Sequence, residues 1–380
     1  MPSELVFSWL LALSDPARLR SAQGGPRRGE AGPRAALPDG RLRATAFATL
    51  CGLADRHGVL PPFLANCKQV TAEGGAERIV RSPRTASAKR RAADATARAL
   101  ADAERRLVRQ TGLAMLLRGQ AAELVAALAE SGVTAVVLKG TDFADRLYPR
   151  PGLRLFRDVD ILISESALAR TDLCLERLGY QATAASLKYA SGYGQCGWRR
   201  PLDHARGRPE LVEGQPEAPG GTVEIHWDLV NSPSLRRAVS VPLEALQVER
   251  PASPGSLPRL SPASVLLAAA VHGATSHAFD RLQVLYDVTQ AVRGAAGPLD
   301  EAWLAEAAKR TGAAFALEVA LALVGEVVAE PQCGELLARL HLPRSTCLWK
   351  PVLTRGVVLR AHSPWDSLRR QAFRELLKRQ

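Results

Sequence analysis

The stretch Asp158-Val159-Asp160-Ile161-Leu162-Ile163 constrains this chain more than any other. Side chains of a strand alternate between faces, so Asp158 and Asp160 stand together on one face while Val159, Ile161 and Ile163 share the other. Two ionised carboxylates side by side repel, and burying them unpaired is costly. A sheet built on this strand therefore needs an apolar core on one side and a compensating charge on the other. Mg²⁺ supplies such a charge, because it takes oxygen ligands and is often held by one or two carboxylates with substrate phosphates. The plain alternative is that Asp158 and Asp160 cap the local chain or pair with Arg154 and Arg157.

Two further strands bear on the same chemistry. In Thr222–Trp227, Glu224 and His226 alternate with Val223, Ile225 and Trp227, and Asp228 follows in phase. If this strand neighbours the first, about 4.8 Å away, Glu224 completes a three-carboxylate metal site; alone it reads as an exposed residue on a half-buried strand. His226 shares its face and reads as a hydrogen-bonded orienter ahead of a catalytic base. The β-branched run Thr134–Leu138 ends in Lys139-Gly140-Thr141 and opens a helix. A glycine there lets backbone N–H groups approach a phosphate, the helix N-terminus favours the negative charge, and Lys139 reaches the same phosphates. The turn is neither GxxxxGK[ST] nor GxGxxG, so neither the P-loop nor the dinucleotide-binding motif is present. Arg154 offers a bidentate fork, to a phosphate or to a site carboxylate. His272 and His277 sit about 140° apart on a straight helix, so no joint metal site is expected from them.

Along the chain, residues 4–14 read as a short amphipathic helix and residues 16–43, with seven Arg among Pro and Gly, as a mobile loop. Helices are expected over 44–57 and 92–131, with 81–91 (RSPRTASAKRR) a solvated loop or helix entry. After the first strand come a helix through Tyr148, a turn at 149–152, the Asp strand, a helix over 165–178 ending at Gly179, and a strand from Tyr180. Residues 199–221, rich in Arg, Pro, Glu and Gly, read as a surface insertion. From Pro262 onward the pattern is helical, with breaks at 294–298, Gly312 and Pro331. The expected fold class is α/β (α+β): a small mixed sheet flanked by helical regions. The expected division is 1–131 helical, 132–230 α/β core with its insertion, and 231–380 helical.

Composition bounds the function. At 380 residues, 47% hydrophobic and 23% charged, the chain can build a full core and is not a disordered or fibrous sequence. The net charge of +12 favours polyanionic partners. However, residues 1–130 hold 20 cations against 12 acids, so most of the excess lies away from the Asp strand. Aromatics at 5% offer little for base stacking, and nucleic acid is not the expected partner. Six cysteines without CxxC spacing read as reduced and buried. The N-terminus lacks a basic segment before its apolar run and carries Glu4, and no uncharged run of about 20 residues occurs. A cytoplasmic protein without a membrane span is expected.

The order strand-KG-helix, turn, DxD strand, helix, GY, Glu strand resembles the bacterial nucleotidyltransferase-like family of the polymerase-β-type superfamily. The residues that carry the resemblance are LKGTDFADRLYP (138–149), GLRLFRDVDILI (152–163), LGY (178–180) and VEIHWDL (223–229), with a looser match at His272, His277, Phe279, Arg281, Leu282 and Asp287. It runs from about residue 45 to 290. The resemblance implies transfer of a nucleoside monophosphate from an NTP such as ATP to an acceptor hydroxyl. It implies Asp158, Asp160 and Glu224 as catalytic Mg²⁺ ligands and Gly140 with Thr141 at the phosphates. The chain departs from the family in having Gly-Thr after Lys139, where Gly-Ser or Gly-Gly is usual, and in the length of 199–221. Phosphoryl transfer from the same site, and a non-catalytic nucleotide-binding or assembly subunit, are the alternatives. The acceptor stays open. Charge removal at Asp158 or Asp160 is expected to relieve repulsion and leave stability equal or higher.

Overall fold

Runs of Ala, Leu, Arg and Glu favour helix, and helices surround one small sheet. The computed structural model describes residues 4–22, 37–74, 78–83, 85–183, 192–200, 222–249, 257–342, 347–360 and 363–379. Before the sheet come α1 (Glu4–Ser14), α2 (Ala44–Arg56), α3 (Leu60–Gly74) and α4 (Ala86–Glu130). The sheet region holds β1 (Ala135–Leu138), α5 (Gly140–Arg146), β2 (Asp158–Ile163), α6 (Leu168–Arg177), β3 (Gln181–Ala182), β4 (Gln195–Arg199) and β5 (Thr222–His226). There follow α7 (Pro233–Arg236), α8 (Pro262–His272), α9 (Leu282–Val292), α10 (Glu301–Arg310), α11 (Ala314–Val327), α12 (Pro331–Leu340), α13 (Arg355–Leu359) and α14 (Asp366–Leu377).

The strand order is β1-β2-β5-β4-β3, with β2 and β5 parallel and the other neighbours antiparallel. The mixed α+β class therefore stands as expected. One face of the sheet carries Val159, Ile161, Ile163, Val223 and Ile225, which share a core with Leu117, Leu124 and Leu128 of α4. Full burial of each such side chain stabilises by about 1.5–3 kcal/mol. The other face contributes Leu138 and Leu162 to a second core shared with α1–α3 and the C-terminal helices. The charged residues of β2 and β5 are thus held on the face that these helices cover.

Several expectations need correction. Residues 4–14 are buried on nearly every side rather than amphipathic, with Trp9, Leu10 and Leu13 in the core. Within 16–43, Pro16–Ala22 form a 3₁₀ helix and Leu42 bridges to Val80; residues 23–36 lie outside the described residues. α3 has no counterpart among the sequence expectations; Pro61 and Pro62 lie in its first turn, where the missing N–H bonds are not needed. α4 begins at Ala86, capped by Thr85, whose side chain accepts from Ala88 N, so part of the basic run is helix. Arg199 closes β4, an unforeseen strand, and 201–221 lie outside the described residues. The strand expected from Tyr180 is only two residues long. By length and composition α4 contains a stretch apolar enough to cross a membrane. Yet Leu117, Leu124 and Leu128 pack beneath the sheet, as in a core helix.

Candidate active site

Parallel pairing of β2 with β5 sets Asp160 directly beside Glu224, Asp158 beside Thr222 and Leu162 beside His226. Paired residues of adjacent strands share a face. Ligand atoms of Asp160, Glu224 and His226 consequently lie within 4.8 Å of one another. Asp158 sits two residues earlier on the same face of β2, outside that group of three.

Asp160 is buried, and its Oδ1 is 3.0 Å from Lys139 Nζ and 2.9 Å from His226 Nε2. Burial alone would raise its pKa, but Lys139 and His226 outweigh burial and hold the carboxyl far below its ordinary range. His226 Nε2 is also 3.6 Å from Glu224 Oε2, and its Nδ1 is 3.1 Å from Asn231 Oδ1. Both ring nitrogens face oxygen acceptors, and only the imidazolium donates from both. Burial opposes that charge, yet the hydrogen bond to Asp160 and the nearby Glu224 carboxylate prevail and raise the pKa to about 9. Asp158 behaves oppositely: burial, then repulsion from Asp160, raise its pKa to about 6.

Lys139 reaches Asp160 from a strained backbone. It adopts φ 49° and ψ −131°, a conformation rare for a residue with a side chain, and Gly140 follows with φ 34°. This sharp turn joins β1 to α5. Lys139 and Gly140 line a cavity of about 290 Å³ with Asp158, Asp160, Arg157 and Arg281. Thr141 is buried and is not part of that lining. Arg154, which also lines it, commits its fork to Asp287, with Nε to Oδ1 and Nη2 to Oδ2 both 2.8 Å. A third nitrogen donates to Gly140 O at 3.4 Å, and the guanidinium lies 5.3 Å from the centre of the Phe143 ring. Tyr148 OH donates to Asp287 at 2.9 Å. Arg154 thus braces the turn instead of presenting its fork to a phosphate.

The two histidines depart from the straight-helix expectation. α8 runs into a π-helical turn over Gly273–His277, then Ala278 and Phe279 take left-handed conformations at φ 46° and 53°. A Cβ on Gly273 would stand 2.5 Å from Phe279 and 2.7 Å from Val284, so the bend requires glycine. The His272 and His277 rings meet edge to face at 4.7 Å and both line the cavity. His272 Nδ1 is 3.5 Å from Lys139 Nζ. Burial, then Lys139, push His272 well below its ordinary pKa, while burial, then Arg281, lower His277 to about 4. Both are neutral donors or acceptors beside a cationic turn.

Asp287 and Asn231 are partners that sequence reasoning missed as site residues. An aspartate inside the apolar helix LQVLYDVTQAV was a signal for the first, since a charge there needs a buried partner. The hard carboxylate oxygens of Asp158, Asp160 and Glu224 suit Mg²⁺, and these acids outnumber the Lys139 and His226 cations beside them.

A family model described as uncharacterised nucleotidyltransferase matches residues 44–329, well over half of the 380 residues. The chain belongs to this family. The nucleotidyltransferase match takes in α2 to α11 with the whole sheet and both cavity-lining histidines. Neither the curated proteins nor the solved structures contain a match.

Proposed function

We propose that the chain transfers a nucleoside monophosphate from an NTP such as ATP to a hydroxyl of an acceptor, in a Mg²⁺-dependent reaction in the cytoplasm. The observation that carries this reading is the register pair Asp160–Glu224, whose Asp160 lines a cavity with Asp158 and the Lys139-Gly140 turn. The five described cysteines, buried and free, suit a reducing compartment. Asp158, Asp160 and Glu224 would hold Mg²⁺, which supplies charge neutralisation at the phosphates and alignment of the α-phosphorus.

The protein groups have separable tasks. Lys139 and the Gly140 turn bind the triphosphate, with Arg157 and Arg281 adding positive charge around it. Arg154 acts through Asp287 and the Gly140 carbonyl to keep that turn in place. Glu224, whose side chain is 28% exposed, takes the proton of the acceptor hydroxyl as the new O–P bond forms and pyrophosphate leaves. His226 holds Asp160 and Glu224 in position. One observation favours a second reading, a non-catalytic nucleotide-binding subunit: Asp160 Oδ1 is already engaged by both Lys139 and His226.

Incubation with Mg²⁺ and ATP labelled at the α- or γ-phosphate, over an acceptor panel, separates the readings. Nucleotidyl transfer moves the α-label and releases pyrophosphate. Movement of the γ-label alone would establish phosphoryl transfer. Tight Mg-ATP binding without movement of either label would establish the non-catalytic subunit.

A further inference from the structure

Asp160 and Glu224, though paired in register, face different cavities. Asp160 lines the one described above, whereas Glu224 lines a second of about 330 Å³ over the β4–β5 face. Gly197 of β4 stands directly opposite Glu224 and lines this second cavity. Its neighbours Cys196 and Trp198 belong to the core beneath. An interior glycine in a strand marks a place where a ligand or another backbone approaches closely. Gly197 therefore adds no side chain to the cavity wall beside the carboxylate.

The walls mix polar groups with apolar surface from Leu235 and Tyr193 and are almost uncharged. Thr183, Gln195, Thr222, Asn231 and Ser232 present hydroxyls and amides, groups that both donate and accept. Gln195 Oε1 is buried with no hydrogen-bond partner among the described residues, and a donor on a bound molecule would satisfy it. The charged members of the lining are Glu224 and Arg374 of α14, whose guanidinium makes a long 3.5 Å bond to Thr275 O. Hydroxyl groups match such walls in both directions of hydrogen bonding, and an Arg fork suits a carboxylate or phosphate. The volume lies near the lower end of small-molecule sites, about 300–1,000 Å³, which fits one small molecule and no polymer.

We propose that this second cavity is the acceptor site and that it takes a single sugar bearing a carboxylate or phosphate. The proposal rests on the nucleotidyl-transfer reading of the Asp160–Glu224 pair. The reacting hydroxyl sits over Gly197, where its proton passes to Glu224 as its oxygen bonds to the α-phosphorus and pyrophosphate departs. The anionic group of the sugar lies at Arg374.

The test compares glucuronate, glucose 6-phosphate, glucose and glucosamine by NMR titration against the full-length protein in the presence of Mg²⁺ and a non-hydrolysable ATP analogue. Wild type should bind at least one of the two anionic sugars about tenfold more tightly than glucose, with glucosamine weakest, a difference of about 1.4 kcal/mol from one Arg–anion pair. Which anion binds better separates carboxylate from phosphate. Gly197→Val adds a β-favouring side chain to the cavity wall opposite Glu224 and should abolish sugar binding while nucleotide-analogue affinity is retained. Arg374→Gln should remove the preference for the anions only. Sugar binding undiminished in Gly197→Val, a preference for glucosamine, or no sugar binding by a wild type that binds the analogue would overturn the proposal. Failure of the wild type to bind the analogue would instead strike the nucleotidyl-transfer reading.

Discussion

Two buried groups of charges in this molecule look alike and are built for different ends. In the first, Arg293 at the end of α9 reaches Asp15 at 2.8 and 3.3 Å and Glu330 at 2.6 Å. In the second, Lys139 and His226 hold Asp160 beside Glu224 and Asp158. Each has more acids than bases, so a surplus of negative charge does not tell them apart. The difference is what satisfies the surplus. Asp15 also accepts from Ala17 N, and Glu330 caps α12 by accepting from Gln332 N, so backbone donors finish the first group. No described backbone donor serves Asp158 or Asp160, and both line a cavity. Charge satisfied by the fold is structure; charge left facing a cavity is available to a ligand.

The sharpest way to break that contrast is Asp160→Asn. If the second group is the catalytic one, transfer should fall on the order of 10³-fold or more, the several kcal/mol expected when metal-assisted charge stabilisation is lost. Turnover of labelled ATP gives the readout. Repulsion from Asp158 alone would let stability hold or rise in this variant, but the contacts of Asp160 to Lys139 and His226 reverse that expectation. Asp160 is the counter-charge of Lys139 and His226, so its loss should lower stability in urea unfolding. Turnover close to wild type would place the two groups in one class.

The converse variant is Arg293→Met. It strands Asp15 and Glu330 without their cation, and removing one partner of a buried ion pair costs about 3–5 kcal/mol. Denaturant unfolding should show that loss while calorimetric titration gives unchanged Mg-ATP affinity. A large loss of affinity with little loss of stability would reverse the assignment.

A pH series sharpens the contrast further. In the metal-free protein His226 has a pKa raised from 6.5 to about 9. A raised folded-state pKa means stability fully present below 6.5 and lost as pH rises through 9. The full linkage is at most about 3 kcal/mol. Unfolding free energies should decline over this window in wild type and stay nearly flat in His226→Gln. A flat wild-type profile would mean that His226 is neutral and that one of its two oxygen contacts is not a donated bond.

How much of this was legible in the sequence follows the range of each interaction. Alternation within one strand made Asp158, Asp160 and Glu224 candidates, because a period of two is a local property. That Asp160 and Glu224 meet depended on β2 and β5 being neighbours, and β4, with a glycine at its centre, gave little strand signal. The Arg154–Asp287 pair spans 133 residues, beyond any pattern in the chain. The meeting of His272 and His277 contradicts ideal helix geometry and needed the π turn held by Gly273.

The smallest expected effect concerns Asp158, and it separates metal binding from mere repulsion. Burial and Asp160 raise its pKa from 3.8 to about 6. Between these values the folded state binds more protons than the unfolded one, so stability falls as pH rises across that window and the penalty is complete above 6. Asp158→Asn removes the penalty. The metal-free variant should therefore gain stability at pH 8, by roughly 1 kcal/mol once solvent access and imperfect amide bonding discount the full linkage, and should match wild type near pH 4. Added Mg²⁺ should change the order: it stabilises wild type by binding the folded state alone, and the variant, lacking a ligand oxygen charge, should gain less. Thermal unfolding with and without Mg²⁺ measures both differences. A variant less stable than wild type at pH 8 without metal would make Asp158 a structural ion-pair partner and move it to the side of Asp15 and Glu330.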